Sequence, residues 1–251
     1  MRADPPNRAA ARTSCTDAPL PPLCFLGRAA CTGPQIGYQT TFFLEYLGPL
    51  LFFPLFFYAG RFIYGGDVQH SYAQVIAFYL GIGHFGKREL ETAFVHRFSH
   101  GTMPVYACMR NCMHYWVLCG LIMGYFIFGP AQAAKAASDP TLVNALVAVW
   151  TLAELGNLYV HVYLRNLRPA NSTVRKVPRG YFFGLVSCPN YFFEVLAWVA
   201  FSALVNHWAA WLFTVVGAAQ MMQWADKKHR QYKRDFPDYP KGRKRMFPFI
   251  W

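Results

Sequence analysis

The sequence predicts an all-α protein, a polytopic transmembrane helical bundle of six to seven spans. Three observations predict it. Hydrophobic residues fill 55% of the 251 positions and charged residues only 14%, where a soluble domain carries roughly 25% charged. Apolar runs near the ~20 residues needed to cross a bilayer recur along the chain. The basic residues are also lopsided. With six crossings, all of the 24 Lys and Arg except Arg61 and Lys135 fall on one side, and the positive-inside rule puts that side, with both termini, in the cytosol. The net charge of +12 therefore does not call for nucleic acid, which is not expected as a partner. It fits basic cytosolic loops or a polyanionic substrate.

Residues 1–33 are rich in Ala, Pro and Arg and lack the apolar core of a secretory signal. They are expected to be a disordered or truncated N-terminal segment, with an organellar transit peptide as the alternative. Residues 34–251 are expected to form one membrane-embedded domain with a basic cytosolic tail. Its first span, 42–64, carries Glu45 near its start and Pro49 and Pro54 inside, so a kink is expected. A turn with Gly65, Gly66 and Asp67 leads to the second span, 73–87. The polar stretch 87–110 precedes the third, 115–128, and a loop with Pro130, Lys135, Asp139 and Pro140 precedes the fourth, 142–164. Residues 181–205 and 208–224 form a pair around Asn206 and His207, and the tail from Lys227 to Trp251 is strongly basic. Within that pair, Pro189 suits a first helical turn, so a helix is expected to start there.

The seven cysteines imply no disulfide framework, because none falls in a loop placed outside the cytosol. Cys108, Cys112 and His114 match no common zinc spacing, so they read as packing residues and no metal is expected.

The candidate chemistry lies in polar residues at helical spacing inside apolar spans. Asn190, Tyr191 and Glu194 share one face of the helix starting at Pro189. Glu154, Asn157, His161 and Arg165 draw a stripe down the fourth span, Gln220, Trp224, Lys228 and Tyr232 another out of the last, and Lys87 and Glu91 are four apart. Glu45, Glu154 and Glu194 are ionisable groups at membrane depth, where such groups mark functional sites. The competing reading of each stripe is interhelical glue. A cationic mouth above these residues suits the phosphates of a nucleotide or of coenzyme A, and a tyrosine there can protonate a developing enolate if a cation or hydrogen bond steadies its oxygen. Gly81-Ile-Gly83-His-Phe-Gly86 spells a dinucleotide fingerprint by letters but lies in a span with no βαβ context.

Leu-Gly-Pro at 47–49, Leu90-Glu-Thr-Ala-Phe-Val-His-Arg-Phe-Ser-His-Gly-Thr-Met-Pro104, Leu-Arg-Asn-Leu-Arg-Pro at 164–169, Val-Ser-Cys-Pro-Asn-Tyr at 186–191 and Phe236-Pro-Asp-Tyr-Pro240 resemble the very-long-chain trans-2,3-enoyl-CoA reductases of the steroid 5-alpha-reductase superfamily. The resemblance runs from about Gly33 to the C-terminus. It implies an enzyme of the endoplasmic reticulum membrane that carries out the last step of very-long-chain fatty acid elongation. NADPH is the implied cofactor and a long-chain enoyl-CoA the implied substrate, with other fatty-acid elongase subunits as implied partners. It makes Tyr191 the proton donor, with Glu45 and Lys87 also needed for activity, and places NADPH contacts on Asn157, Lys176, Asn190 and Tyr232, with Arg168 nearby. His161 stands where the steroid reductases carry an acid, and Trp224 and Lys228 also depart from them and agree better with the enoyl branch. Members of the family usually carry an N-terminal ubiquitin-like domain, for which residues 1–32 are too short. Three other readings remain: a sterol or steroid double-bond reductase, a membrane methyltransferase binding S-adenosylmethionine, and a non-catalytic subunit of the elongation complex.

Overall fold

The computed structural model describes residues 33–98, 101–168 and 176–251. The expected disordered or truncated segment lies outside the described residues except for Gly33, as do Arg175 of the basic loop and Ser99, His100 and Pro169 of the quoted motifs. Helices dominate: α1 (Tyr38–Tyr58), α2 (Gly60–Tyr64), α3 (Tyr72–Leu90), α4 (Val105–Cys112), α5 (Gly124–Phe128), α6 (Pro140–Leu167), α7 (Pro189–Val205) and α8 (Trp208–Asp235). A π-helical turn, Glu91–Val95, extends α3, and a π-helical stretch, Met113–Met123, joins α4 to α5. Among the described residues, Tyr38–Tyr58, Val105–Phe128 and Pro140–Leu167 are long and apolar enough to cross a membrane.

The helix ends follow local chemistry. Ser71 and Gln74 close a capping box at the start of α3. The Asp139 carboxylate accepts from Thr141 N at 2.9 Å ahead of Pro140, the first residue of α6. α7 starts at Pro189, as the proline predicts, and stops at Asn206, whose φ of 47° is the left-handed conformation that closes a helix. α1 runs unbroken through Pro49 and Pro54.

Several boundaries differ from the sequence expectation. The helix read as 115–128 begins ten residues earlier, and α8 continues through the basic stretch as far as Asp235. Charge marks where a helix leaves an apolar environment, and it does not end the helix. The all-α expectation also needs a correction: β1 (Gln35–Gly37) pairs antiparallel with β2 (Thr102–Pro104), with Ile36 opposite Met103. Three-residue strands are too short to show an alternating pattern.

α1, α3, α7, α8 and the continuous helix from Val105 pack aromatic side chains into one core. Phe53, Phe85, Phe128 and Phe201 are fully buried, and Phe53 meets Phe85 and Phe128 edge-on at 6.2 and 5.4 Å. Two glycines permit close helix approach. A Cβ on Gly81 would lie 2.5 Å from the Phe53 ring, and one on Gly156 would lie 2.8 Å from Phe193. Cys108 and Cys112 lie side by side at 4.0 Å, while His114 stacks on Phe213 instead of joining them.

After α8 the chain turns back. Ser187 N donates to Lys244 O at 2.8 Å, Cys188 N to Arg245 O at 3.0 Å, and Lys244 N to Leu185 O at 2.8 Å. Ser187 Oγ also lies 2.6 Å from both His229 Nδ1 and the Tyr239 hydroxyl. These bonds fix the loop that launches α7.

Candidate active site

A charged cluster crosses the bundle at the level of α3, α6 and α7. His84 bridges two carboxylates, with Nδ1 2.7 Å from Glu154 Oε1 and Nε2 3.3 Å from Glu194 Oε1. Only a ring protonated at both nitrogens donates to both. The Lys87 ammonium lies 2.8 Å from Glu154 Oε2, donates to Asn157 Oδ1 at 2.7 Å and sits 3.5 Å from Glu91 Oε1. Arg88 pairs with Glu91 and donates to the Tyr46 hydroxyl at 2.9 Å. Asn157 Nδ2 donates to Asn190 O at 3.0 Å and to Glu194 Oε2 at 3.1 Å, and Trp198 Nε1 donates to Glu194 Oε1 at 3.2 Å. Three carboxylates thus meet Lys87, Arg88 and His84, which is how buried charges are tolerated.

Above this cluster lies a cavity of about 1760 Å³. Tyr191, Glu45, Asn157, Asn190, Arg168, Lys176 and Tyr232 all line it. Glu45, on α1, is buried and accepts from Asn111 Nδ2 at 2.8 Å. Tyr191 stands on the first turn of α7 beside Trp224, ring centroids 6.2 Å apart. The whole stripe Gln220, Trp224, Lys228 and Tyr232 faces the same space. Lys87 is different: it lies beneath the lining with His84, Glu91 and Glu154, and reaches the cavity through its bond to Asn157 and through Glu91, which pairs with Arg88 and His161 of the lining. The mouth is cationic, with Arg97, Arg165, Lys227 and Arg230 besides Arg168 and Lys176. Arg97 donates to the Arg168 carbonyl and Arg168 Nη1 returns a bond to the Arg97 carbonyl at 3.0 Å, which ties the segment after α3 to the end of α6.

Sequence reasoning missed His84, Arg88, Asn111 and Tyr46. The three-residue spacing of Arg88 and Glu91 was an available signal; the other contacts join residues far apart in the chain. Glu91, His96 and His161 bring ligand atoms within 4.8 Å of one another. A 2-His-1-carboxylate set is a familiar metal triad. Here the Arg88 guanidinium pairs with Glu91 and lies 3.3 Å from His161 Nδ1, so a cation already occupies this corner. Burial, and then the positive charge of Arg88, push the pKa of His96 down to about 3.

Asn190 Oδ1 and Gln220 Nε2 are buried atoms without a hydrogen-bond partner, and both residues line the cavity. One acceptor and one donor therefore stand ready for a polar ligand. Together with the cationic mouth, they fit a nucleotide, with phosphates at the basic end and a polar ring further in.

A family model described as 3-oxo-5-alpha-steroid 4-dehydrogenase matches residues 101–251. The chain is 49% identical over 218 residues to a putative enoyl reductase of Schizosaccharomyces pombe, covering 87% of this chain and 74% of that protein. It is 45% identical over 219 residues to the very-long-chain enoyl-CoA reductase of Dictyostelium discoideum, covering 87% and 72%. It is 42% identical over 228 residues to a probable very-long-chain enoyl-CoA reductase of Caenorhabditis elegans, covering 87% and 73%. With a family model across more than half its length and such relatives across most of it, the chain belongs to the 3-oxo-5-alpha-steroid 4-dehydrogenase family, on the branch of the very-long-chain enoyl-CoA reductases.

Proposed function

We propose that the protein reduces the double bond of a trans-2,3-enoyl-CoA to give the saturated acyl-CoA, using NADPH, as the last step of the very-long-chain fatty acid elongation cycle. It does so in the endoplasmic reticulum membrane as a bundle of six to seven spans, with both termini and the active site facing the cytosol and other elongase subunits as partners. The single observation that carries the reading is that Tyr191 and Glu45 open onto one cavity whose mouth is lined by Arg and Lys. Arg168 and Lys176 serve the nucleotide, and Arg97, Arg165, Lys227 and Arg230 remain for the phosphates of coenzyme A, which a sterol lacks.

Arg168, Lys176, Asn157, Asn190 and Tyr232 would hold the nucleotide. NADPH, when bound, supplies the hydride that reaches Cβ. The chain's own residues then manage the charge that develops on the thioester. The Tyr191 hydroxyl delivers the proton to Cα, and Lys228 on the facing helix lines the same space, where it would steady the phenolate left behind. Glu45, held by Asn111, orients the reacting end of the substrate against Tyr191. His84 and Lys87 hold Glu194 and Asn157, which fix the first turns of α7 and so the position of the phenol.

The test is NADPH oxidation by the purified protein with a long-chain trans-2-enoyl-CoA under anaerobic conditions. Tyr191→Phe should slow turnover by about 10²-fold or more, the usual value of a positioned proton donor, with NADPH affinity kept. A folded wild type that consumes no NADPH, or a fully active Tyr191→Phe, overturns the assignment.

A further inference from the structure

The cavity is chemically divided. Its mouth is basic, whereas its inner end is mostly apolar: Met113, Tyr115 and Leu118 of the π-helical stretch line it with Phe213, Val216 and Gly217 of α8, and His114 and Thr214 are the polar residues among them. The two elements meet at a vertex, where the His114 ring stacks on Phe213 at 4.5 Å and 17°. A Cβ on Gly217 would lie 3.7 Å from His114 Nε2, so the glycine leaves room for one further group there. Met113 is 60% and Val216 42% exposed, although both line the cavity. Along α8 the lining runs from Phe213 to Arg234, roughly 30 Å at the helical rise.

We propose that the slot between the π-helical stretch and α8, with its vertex at His114, Phe213 and Gly217, is the acyl-tail subsite, and that it opens sideways into the bilayer between Met113 and Val216. The inference rests on the enoyl-CoA reading. A ligand with a polyanionic head and an apolar tail needs a cationic mouth continuous with an apolar slot, and this cavity has both in one space. Met113 belongs to Val105–Phe128, which is long and apolar enough to cross a membrane, so a gap beside it would open into lipid. The unbranched thioether of Met113 adapts to a passing chain. Once the tail fills the slot, further methylenes exchange lipid for lipid, and the enzyme stops distinguishing length.

The test uses the full chain in lipid nanodiscs and a saturated long-chain acyl-CoA carrying a diazirine in its tail. Labelling should fall on residues 113–118 and 213–217; labelling confined to other helices overturns the subsite. In turnover, kcat/KM for enoyl-CoA substrates should rise with chain length and then level off, and a sharp fall beyond an optimum would show a closed tunnel and overturn the sideways opening. Gly217→Phe fills the vertex and should cut the ratio of long-chain to short-chain kcat/KM by about tenfold or more and suppress the labelling. An unchanged ratio and unchanged labelling overturn the proposal. If Gly217→Phe does not fold, Val216→Trp at the lipid-facing edge carries the same expectation. The probe is saturated, so labelling needs no turnover. Labelled but inactive protein sinks the reductase reading alone, and active protein labelled elsewhere sinks the subsite alone.

Discussion

Lys87→Met separates a residue that touches substrate from one that holds the site together. The ammonium has three partners, Glu154 Oε2 at 2.8 Å, Asn157 Oδ1 at 2.7 Å and Glu91 Oε1 at 3.5 Å, and its side chain is only 17% exposed. Methionine keeps the stem and removes the charge, so two buried carboxylates lose a cation. Removing one partner of a buried pair costs about 3–5 kcal/mol. For a chain of this size that is a fall in Tm of about 10 °C. Scanning calorimetry of the detergent-purified protein reads it directly. Glu154→Gln in the same background should recover part of the loss, because the double variant no longer buries that carboxylate uncompensated, with a coupling of about 0.5–3 kcal/mol. Turnover should fall with the fold, through Asn157. A Lys87→Met protein whose Tm is unchanged but whose turnover is abolished would refute this, and would put the ammonium on the substrate.

Two further outcomes follow from packing and charge. Gly81→Ala would drive a methyl to 2.5 Å from the Phe53 ring, a fully buried side chain, and should cost about 1–3 kcal/mol; an unchanged Tm would show that α1 and α3 can move apart freely. His96 holds a pKa pushed down to about 3, whereas in the unfolded chain it titrates near ~6.5. The unfolded state therefore takes up the proton first, and stability should drop as pH falls from about 6.5 towards 3. His96→Phe, which keeps a ring beside Phe42 and Phe98, should flatten that slope by up to one proton, and parallel Tm–pH curves for the two proteins would contradict it.

How much of this could be read from the chain depended on whether partners lie on one helix. The Pro189 start of α7, the stripe Glu154–Asn157–His161 and the stripe Gln220–Tyr232 are set by spacing, and the structure turns each towards the cluster or the cavity. His84 was hidden because its partners are 70 residues away at Glu154 and on α7 at Glu194, so no local pattern announces it. Arg88 reads in the sequence as one more charge of the polar stretch 87–110; its spacing to Glu91 is visible there, but its bond to Tyr46 and its burial come from α1 closing over α3. Lys87 was expected among the active residues on the strength of the resemblance. Its place beneath the lining depends on α6 supplying Asn157, which neither spacing nor composition reports.

The hook formed after α8 has a consequence for biogenesis. The loop that sets Tyr191 is pinned by Lys244, 57 residues downstream of Ser187. On the ribosome the earlier helices are made and can enter the membrane before that strap exists. A nascent chain arrested after α8 would thus have its helices made yet lack the strap that pins the start of α7, so the proposed proton donor Tyr191 is among the last parts of the molecule to be positioned.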